Sequence, residues 1–249
     1  MKKRYVSLFV LGVIITVCIV ILIHNNHVKN SKLHRSFNMR SIGTTFCVYI
    51  DSYKKFPQQI FNEYSRDNHR QNCSWRFRCA SYLGYGSGDT AERAMQSFDL
   101  TKNWNEAPNV SLWIPAYNWT GCPKSPKDHK RYWTNVMAIT GPDTAFEVCE
   151  LSRLEGCQDL IVVVEVADSG VHWGEPGDID VNNLPENLTS GIDGDGFMVL
   201  FFDGSVWFIK KDVPIETLKN FLTITESKKH DRNIELKPYA IVYYESKQE

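Results

Sequence analysis

The chain has 249 residues, of which 43% are hydrophobic and 12% aromatic. This composition is typical of a globular domain and excludes a disordered chain. The chain has 28 Lys and Arg residues and 29 Asp and Glu residues. It therefore lacks the positive excess that binds nucleic acid, and we expect no nucleic-acid partner.

The N-terminus carries a candidate membrane span. Residues 5–23 contain no charged side chain and directly follow the basic tip, residues 1–4, with Lys2, Lys3 and Arg4. A helix of this length crosses a hydrocarbon core about 30 Å thick. The charges before the span favour an N-terminus inside the cell. We therefore predict an uncleaved, single-pass anchor in the cytoplasmic membrane, in which residues 5–23 contact lipid and the body lies outside.

Two other interpretations of this segment stay open. A cleaved secretory signal would end on small residues, whereas this apolar run leads to Ile23 and His24. A lipoprotein signal would use Cys18, but the branched Val17 precedes it and apolar residues continue beyond it. The permanent anchor fits the pattern better than either.

Residues 24–57 predict an amphipathic helix that continues from the span and ends at Pro57. Apolar residues recur there at intervals of three to five. They are Leu33, Phe37, Ile42, Phe46, Tyr49, Ile50 and Tyr53. If residues 25–30 do not interrupt the helix, span and amphipathic segment form one rod roughly 70 Å long.

Residues 58–249 form the predicted body. Its first half predicts loops and short elements, with a short helix over residues 90–98. Five later runs predict strands, at residues 132–139, 160–166, 197–202, 205–209 and 239–244. Asp203-Gly204 predicts a tight two-residue hairpin, and Asp212 with Pro214 predicts a helix that extends to about Thr223. The fold class expected is α+β, a long N-terminal helix packed on an antiparallel sheet.

Six cysteines lie outside the span, an even number that permits disulfides in an oxidising compartment. Cys73 with Cys79 and Cys149 with Cys157 are the pairs close in sequence, although several of these residues are equally compatible with buried thiols. Four Asn-x-Ser/Thr sequences are potential glycan acceptors in a glycosylating host. They begin at Asn72, Asn109, Asn118 and Asn187.

The order of several short motifs resembles a large bacterial family, domain of unknown function 1559, the H-x9-DG pseudopilin-like proteins. The matching motifs lie at residues 38–43, 49–57, 74–76, 98–105, 122–123, 140–142, 165–178 and 195–206. The resemblance implies a pilin-like body. The chain departs from the family at two points: it lacks the Gly-to-Glu prepilin cleavage junction, and Asp193 replaces the motif His.

Two acidic loops suggest a calcium site. Asp178 and Asp180 alternate in one loop, and Asp193 and Asp195 alternate in the next. Oxygen ligands in such alternation suit calcium, and pseudopilins that resemble this body hold calcium in a late loop. The competing interpretation is that Asp and Gly serve turns, and Thr189 stands where an EF-hand has its bidentate Glu.

The sequence contains no recognisable catalytic motif, and we predict a protein that is not an enzyme. We expect a structural or interaction role resembling that of pseudopilins, with other pilin-like helices or cell-envelope proteins as partners. The alternative is a membrane-tethered module that binds solutes or glycans through its Trp-rich middle. Its aromatic residues are Trp104, Trp113, Tyr117, Trp119, Tyr132 and Trp133. His172 is interpreted as a turn or packing residue.

Overall fold

The computed structural model describes residues 2–58, 60–61, 71–80, 97–99, 101–111, 132–148 and 150–246. For residues 2–12, 60–61, 71–72 and 78 it describes the backbone alone. The chain divides into two compact units, residues 1–35 and residues 36–249. The predicted helix over residues 90–98 lies outside the described residues except at its C-terminal end.

The predicted span and amphipathic segment form one continuous helix, α1 (Lys2–Tyr53, 52 residues). It ends four residues before Pro57, earlier than predicted. Lys54 adopts a left-handed conformation with φ of 54°. Its N–H donates to the Ile50 carbonyl oxygen at 2.8 Å, so a residue in this conformation terminates the helix.

The buried face of α1 in the second unit consists of Met39, Ile42, Phe46 and Tyr49. The predicted face was wrong at Leu33, Phe37 and Tyr53, whose side chains are exposed. Intervals of three and four keep side chains on one helix face, whereas the interval of five between Phe37 and Ile42 rotates them about 140° apart. The prediction therefore merged two faces and omitted Met39.

A small antiparallel ribbon of β1 (Ile60–Phe61) and β2 (Gln71–Cys73) precedes a short helix, α2 (Trp75–Ala80). The main sheet has six strands. They are β3 (Val136–Thr140), β4 (Ile161–Glu165), β5 (Ile179–Asp180), β6 (Gly196–Phe201), β7 (Val206–Lys210) and β8 (Ala240–Tyr244). The order across the sheet is β5-β3-β4-β6-β7-β8.

The sheet is mixed, so the α+β class is confirmed but the fully antiparallel sheet was wrong. Strands β3, β4, β6, β7 and β8 pair antiparallel, as predicted, and β5 pairs parallel with β3. The two-residue β5 was missed because it is too short to show alternation. The strand predicted at residues 132–139 begins only at Val136 in the structure. Tyr132 lies in a 3-10 turn, and Trp133 forms only an isolated bridge to His172.

Both faces of the sheet are covered. Along β6, Met198 and Leu200 enter a core that also contains Ile42 and Phe46 of α1. Phe197 and Val199 enter the opposite core. Successive strand residues point to opposite faces, so a strand buried on both sides is continuously hydrophobic.

Short helices contribute to both cores: Phe146 and Leu154 belong to the core that contains Ile42 and Phe46, and Leu218 belongs to the opposite core. Two of them, α3 (Ala145–Val148) and α4 (Leu151–Leu154), follow β3, and three more follow β7. These are α5 (Ile215–Lys219), α6 (Ile224–Ser227) and α7 (Arg232–Glu235). The predicted helix to Thr223 is shorter than expected, and Pro214, not Asp212, occupies the N-cap position. Thr223 instead caps α6 by accepting from the Glu226 N–H.

The cysteines contribute mainly buried side chains. Cys73, Cys79 and Cys157 are buried, in line with the buried-thiol alternative. Cys157 is a free thiol. Cys122 and Cys149 lie outside the described residues.

Candidate functional site

The N-terminal half of α1 is the feature with the clearest functional consequence. Apolar side chains from Val13 to Ile23 are exposed on all sides of the helix. The helix is long and apolar enough to cross a membrane, and its apolar window is not buried inside the protein. A helix with apolar residues all round is stable in contact with lipid or other apolar surfaces.

The outward face of α1 in the second unit has a stripe of uncharged residues, Phe37, Ser41, Thr44 and Val48, which is flanked by the exposed Arg40 and Asp51. Phe37 is 54% and Val48 41% exposed. The Ser41 hydroxyl donates to the Phe37 carbonyl oxygen at 2.9 Å, and the Thr44 hydroxyl donates to the Arg40 carbonyl oxygen at 3.1 Å. Both hydroxyls are thus satisfied within the helix, which leaves a surface suited to packing against another helix.

Asp178, one of the predicted calcium ligands, is used inside the protein. Its Oδ1 lies 2.5 Å from a terminal nitrogen of Arg76 and accepts from the Ala138 N–H at 2.7 Å. Its Oδ2 accepts from the Trp75 indole N–H at 3.2 Å. This carboxylate therefore joins α2 to β3.

The other predicted ligands do not assemble with Asp178. Asp180 accepts from the Asn182 N–H at 2.8 Å within its own turn, and Asp193 and Asp195 are exposed. Among the described residues, which include all four carboxylates, no group of three or more His, Cys, Asp or Glu side chains is arranged to hold a metal. The geometry gives the calcium hypothesis no support, and it stays a prediction.

Arg76 is the most completely buried charge in the described structure, with an exposed fraction of 0%. Its Nε donates to the Val136 carbonyl oxygen at 2.9 Å, and another nitrogen donates to Ser74 Oγ at 2.8 Å. Burial lowers the pKa of Arg76, and the Asp178 carboxylate opposes that shift. The guanidinium also lies 4.9 Å from the Trp75 ring centroid.

A second buried arginine, Arg232 of α7, holds the hairpin between β6 and β7. Its terminal nitrogens donate to Asp203 Oδ2 at 2.6 Å and Oδ1 at 3.2 Å, a bidentate arrangement. Nε lies 3.3 Å from Asp159 Oδ1 without hydrogen-bond geometry. Burial raises the pKa of Asp159 although the nearby Arg232 charge opposes the shift.

This arginine explains the Asp203-Gly204-Ser205 sequence of the hairpin. Asp203 Oδ1 also accepts from the Ser205 N–H at 2.8 Å. The loop has three residues, 202–204, because Phe201 and Ser205 are joined by a backbone hydrogen bond. Only Gly204 has positive φ, at 87°, so the predicted two-residue turn was wrong. A three-residue loop requires the left-handed conformation at its last position alone.

The described part of the Trp-rich region forms an internal stack around His172. The Trp104 ring lies 4.7 Å and the Tyr132 ring 5.5 Å from the His172 ring, both nearly parallel to it. His172 Nδ1 accepts from the Gly174 N–H at 3.0 Å. Burial lowers the pKa of His172 to about 4, so the ring is neutral near pH 7.

This stack affects the glycan-binding alternative. The contacts to His172 occupy ring faces of Trp104 and Tyr132, and Trp173 is buried. The described aromatic residues therefore act in packing, which agrees with the interpretation of His172 as a packing residue. Trp113, Tyr117 and Trp119 lie outside the described residues.

Two of the four potential glycan acceptors have described side chains, and they differ sharply. Asn109 is buried, and its amide nitrogen donates to the carbonyl oxygens of Asp99 at 2.8 Å and Asn103 at 3.0 Å. Its Oδ1 accepts from the Asp99 N–H at 2.8 Å. Asn109 thus closes a loop and cannot carry a glycan in the folded chain, whereas Asn187 is exposed.

A cleft of about 710 Å³ lies between the loop after β5 and helix α5. Leu184, Pro185 and Ile215 supply apolar lining, and Glu186 and Lys219 supply charges. Lys219 also pairs with Glu216 at 2.8 Å. The volume falls in the range of small-molecule sites, but no convergent set of buried polar groups defines a ligand.

Sequence reasoning missed the two buried arginines. The sequence offers one signal for each arginine. Arg76 lies among aromatic and cysteine residues, which are commonly buried. Asp203, the partner of Arg232, lies in a turn whose conformation does not require every polar group it contains. Neither signal identifies the partner, because Arg76 and Asp178 are far apart in sequence. Pairing across such a distance depends on the fold.

Comparison with known proteins finds no family model, no curated protein and no solved structure that matches the chain. The fold itself therefore defines the class: an α+β domain with a mixed six-stranded sheet, whose long N-terminal helix is a candidate membrane span.

Proposed function

We propose that this protein is a non-enzymatic, single-pass anchor in the cytoplasmic membrane that holds its α+β body outside the cell and serves a pseudopilin-like structural or interaction role. The observation that carries the proposal is α1, which joins a fully exposed apolar segment to a face buried in the body. The motif order described above supports the pseudopilin-like part.

The interaction role is supported by the stripe of uncharged residues on the outward face of α1. Phe37 and Val48 are large exposed apolar side chains on the same face, and the hydroxyls between them are bonded to their own helix. A partner helix, such as that of another pilin-like protein, can pack there without leaving a buried polar group unsatisfied.

Membrane insertion is tested by alkaline carbonate extraction of cells that express the full chain. We expect the protein to stay in the pellet, whereas a variant with Ile14→Lys and Val17→Lys enters the supernatant. Two charges near the centre of a span oppose insertion by several kcal/mol in total. A native chain that is extracted as readily as this variant would contradict the anchor.

The orientation is tested with a membrane-impermeant maleimide on intact cells. Cys47 has an exposed thiol near the C-terminal end of α1. Partial burial raises its pKa, and the neighbouring Asp51 adds to the shift, so labelling should be done at mildly alkaline pH. We expect label at Cys47, identified by peptide mass and absent in Cys47→Ser. Labelling only after cell lysis would place the body inside.

The permanence of the anchor is tested by the intact mass of the protein extracted from membranes. An unprocessed N-terminus is expected. Cleavage within the first few residues would indicate a pilin-type leader and favour filament assembly. A chain that begins at an acylated Cys18 would identify a lipoprotein and contradict the spanning helix.

A further inference from the structure

The segment of α1 that directly follows the span can carry only positive charge. His24, His27 and Lys29 lie within six residues of Ile23, the last residue of the span. The first Asp or Glu of the chain is Asp51. The helix continues without a break through this segment, so no acidic side chain lies three or four positions away to pair with these residues.

These three side chains are exposed, and the fold does not use them. In the part of the chain that the structure describes, none of them has a hydrogen bond, an ion pair or a ring contact, either within α1 or with a charged group of another element. The next two basic residues, Lys32 and Arg35, differ because they are buried. The exposed basic groups are therefore available to a ligand from outside the chain.

Their position along the helix axis places them at the depth of lipid headgroups. A bilayer is about 40–45 Å thick and its hydrocarbon core about 30 Å, so each headgroup layer is about 5–8 Å thick. At about 1.5 Å per residue, the helix rises about 8 Å from His24 to Lys29. With Ile23 at the boundary of the core, these side chains meet the headgroup phosphates. His34 is also exposed, but it lies about 15 Å beyond His24, outside this layer.

We propose that His24, His27 and Lys29 form a contact site for the phosphates of anionic lipids, and that the contact strengthens when the two histidines are protonated. The inference rests on the proposed membrane anchor and adds a lipid partner to it.

The chemistry of the three side chains suits this ligand. Lys29 supplies a permanent positive charge. Histidine changes its charge between about pH 5 and pH 8, and the protonated ring donates from both nitrogens. His24 and His27 are three residues apart on one face of the helix, so both can contact the same headgroup. A basic side chain near an anionic lipid surface strengthens the contact about fivefold.

The test counts the lipids that the full chain retains. The chain is purified in mild detergent, incubated with equal amounts of phosphatidylglycerol and phosphatidylcholine, washed at about pH 7.5 or pH 5.5, and extracted for lipid analysis by mass spectrometry. The phosphodiester of phosphatidylglycerol is anionic at both pH values, so the protein is the component that titrates. We expect more phosphatidylglycerol per chain at the lower pH and an unchanged amount of phosphatidylcholine.

The variants assign this increase to the histidines. The double variant His24→Gln, His27→Gln should reduce the increase at least about threefold, whereas the matched control His34→Gln should retain it. Lys29→Gln should lower the retained phosphatidylglycerol at both pH values. The basic tip binds lipid equally in all variants, because its Lys and Arg residues stay charged throughout. Circular dichroism checks that each variant keeps its helix.

Two outcomes overturn the inference. One is an equal increase in the double variant and in the native chain. The other is loss of the increase when inorganic phosphate replaces chloride at constant ionic strength, which would identify a site for free phosphate and not for lipid. Failure of the anchor is recognised separately, because the native chain would then leave the membrane pellet in the carbonate extraction. A chain that stays in the pellet but shows no increase contradicts the lipid site alone.

Discussion

The buried Arg76 and Asp178 pair shows how two charges are accommodated in an apolar core. The guanidinium of Arg76 donates to Asp178, Ser74, the Val136 carbonyl oxygen and the Met137 sulfur. Removing one member leaves the other charge buried without its partner, which costs more than the pair contributes. The pair therefore acts as a fixed link between α2 and β3.

We expect Arg76→Met to lower the free energy of unfolding by about 3–5 kcal/mol, measured by urea denaturation in detergent. Asp178→Asn added to Arg76→Met should recover part of this loss, because the amide is uncharged. The control is Lys219→Met, which disrupts the exposed pair with Glu216 and should cost less than about 1 kcal/mol. Equal losses in the buried and exposed variants would contradict this account.

His172 gives the fold a defined pH dependence. Its pKa is lowered from 6.5 to about 4 in the folded state because the ring is buried. Between these values the unfolded chain binds more protons than the folded chain. The stabilisation is therefore complete above pH 6.5 and is lost as the pH falls towards 4.

We expect stability to fall by about 2–3 kcal/mol between pH 7 and pH 4 through this residue alone. His172→Phe keeps a ring for Trp104 and Tyr132 to stack on but cannot titrate. The free energies of unfolding of the native chain and of His172→Phe are measured across that pH range. Their difference separates the contribution of His172 from that of the carboxylates. A difference that is independent of pH would show that His172 is not buried in its neutral form.

At the scale of elements, α1 lies close to the sheet at Gly43. A Cβ placed on Gly43 would lie 2.9 Å from Leu200 Cδ1 and 3.5 Å from the Gly204 Cα. The helix thus packs directly on β6 and the hairpin, at the position where the loop is fixed by Arg232. A much larger side chain here must shift Leu200, the helix or both.

Gly43→Leu should destabilise the fold by about 2–3 kcal/mol through overpacking, despite the better helix propensity of Leu. Thr44→Leu is the matched control, because the adjacent residue lies on the exposed side of the same helix and should change stability by less than about 0.5 kcal/mol. Thermal unfolding of both variants in detergent compares the two faces. A larger loss for Thr44→Leu would reverse the assignment of faces.

Elements with strong local signals were predictable from the sequence. The apolar run of residues 5–23, the five longer strands and the Asp203-Gly204 hairpin each carry a periodicity or turn residue that acts locally. What was not predictable depends on contacts distant in sequence. The parallel pairing of β5 with β3 lies directly after the contact of Asp178 with Arg76, and Asp180, predicted as a metal ligand, lies at the end of that strand.

At the scale of the whole molecule, the division into compact units falls inside α1. The prediction divides the chain at residues 23 and 57, whereas the compact units meet between Arg35 and Ser36, inside α1. Residues 36–53 belong to the body because their apolar face is part of its core. Helix periodicity alone cannot show at which residue the helix begins to pack against the body.

This boundary predicts how the chain tolerates truncation. A chain that begins at Ser36 keeps Met39, Ile42, Phe46 and Tyr49, and we expect it to be soluble and to unfold cooperatively. A chain that begins at Gln58 loses these four side chains and the buried Phe56 as well, and it exposes Leu200, Phe208 and other residues of one core, so it should aggregate. Loss of each large core side chain costs about 2–5 kcal/mol, and the sum exceeds the stability of a typical domain. Circular dichroism and gel filtration of the two fragments test this, and an equally stable shorter fragment would show that α1 is only a tether.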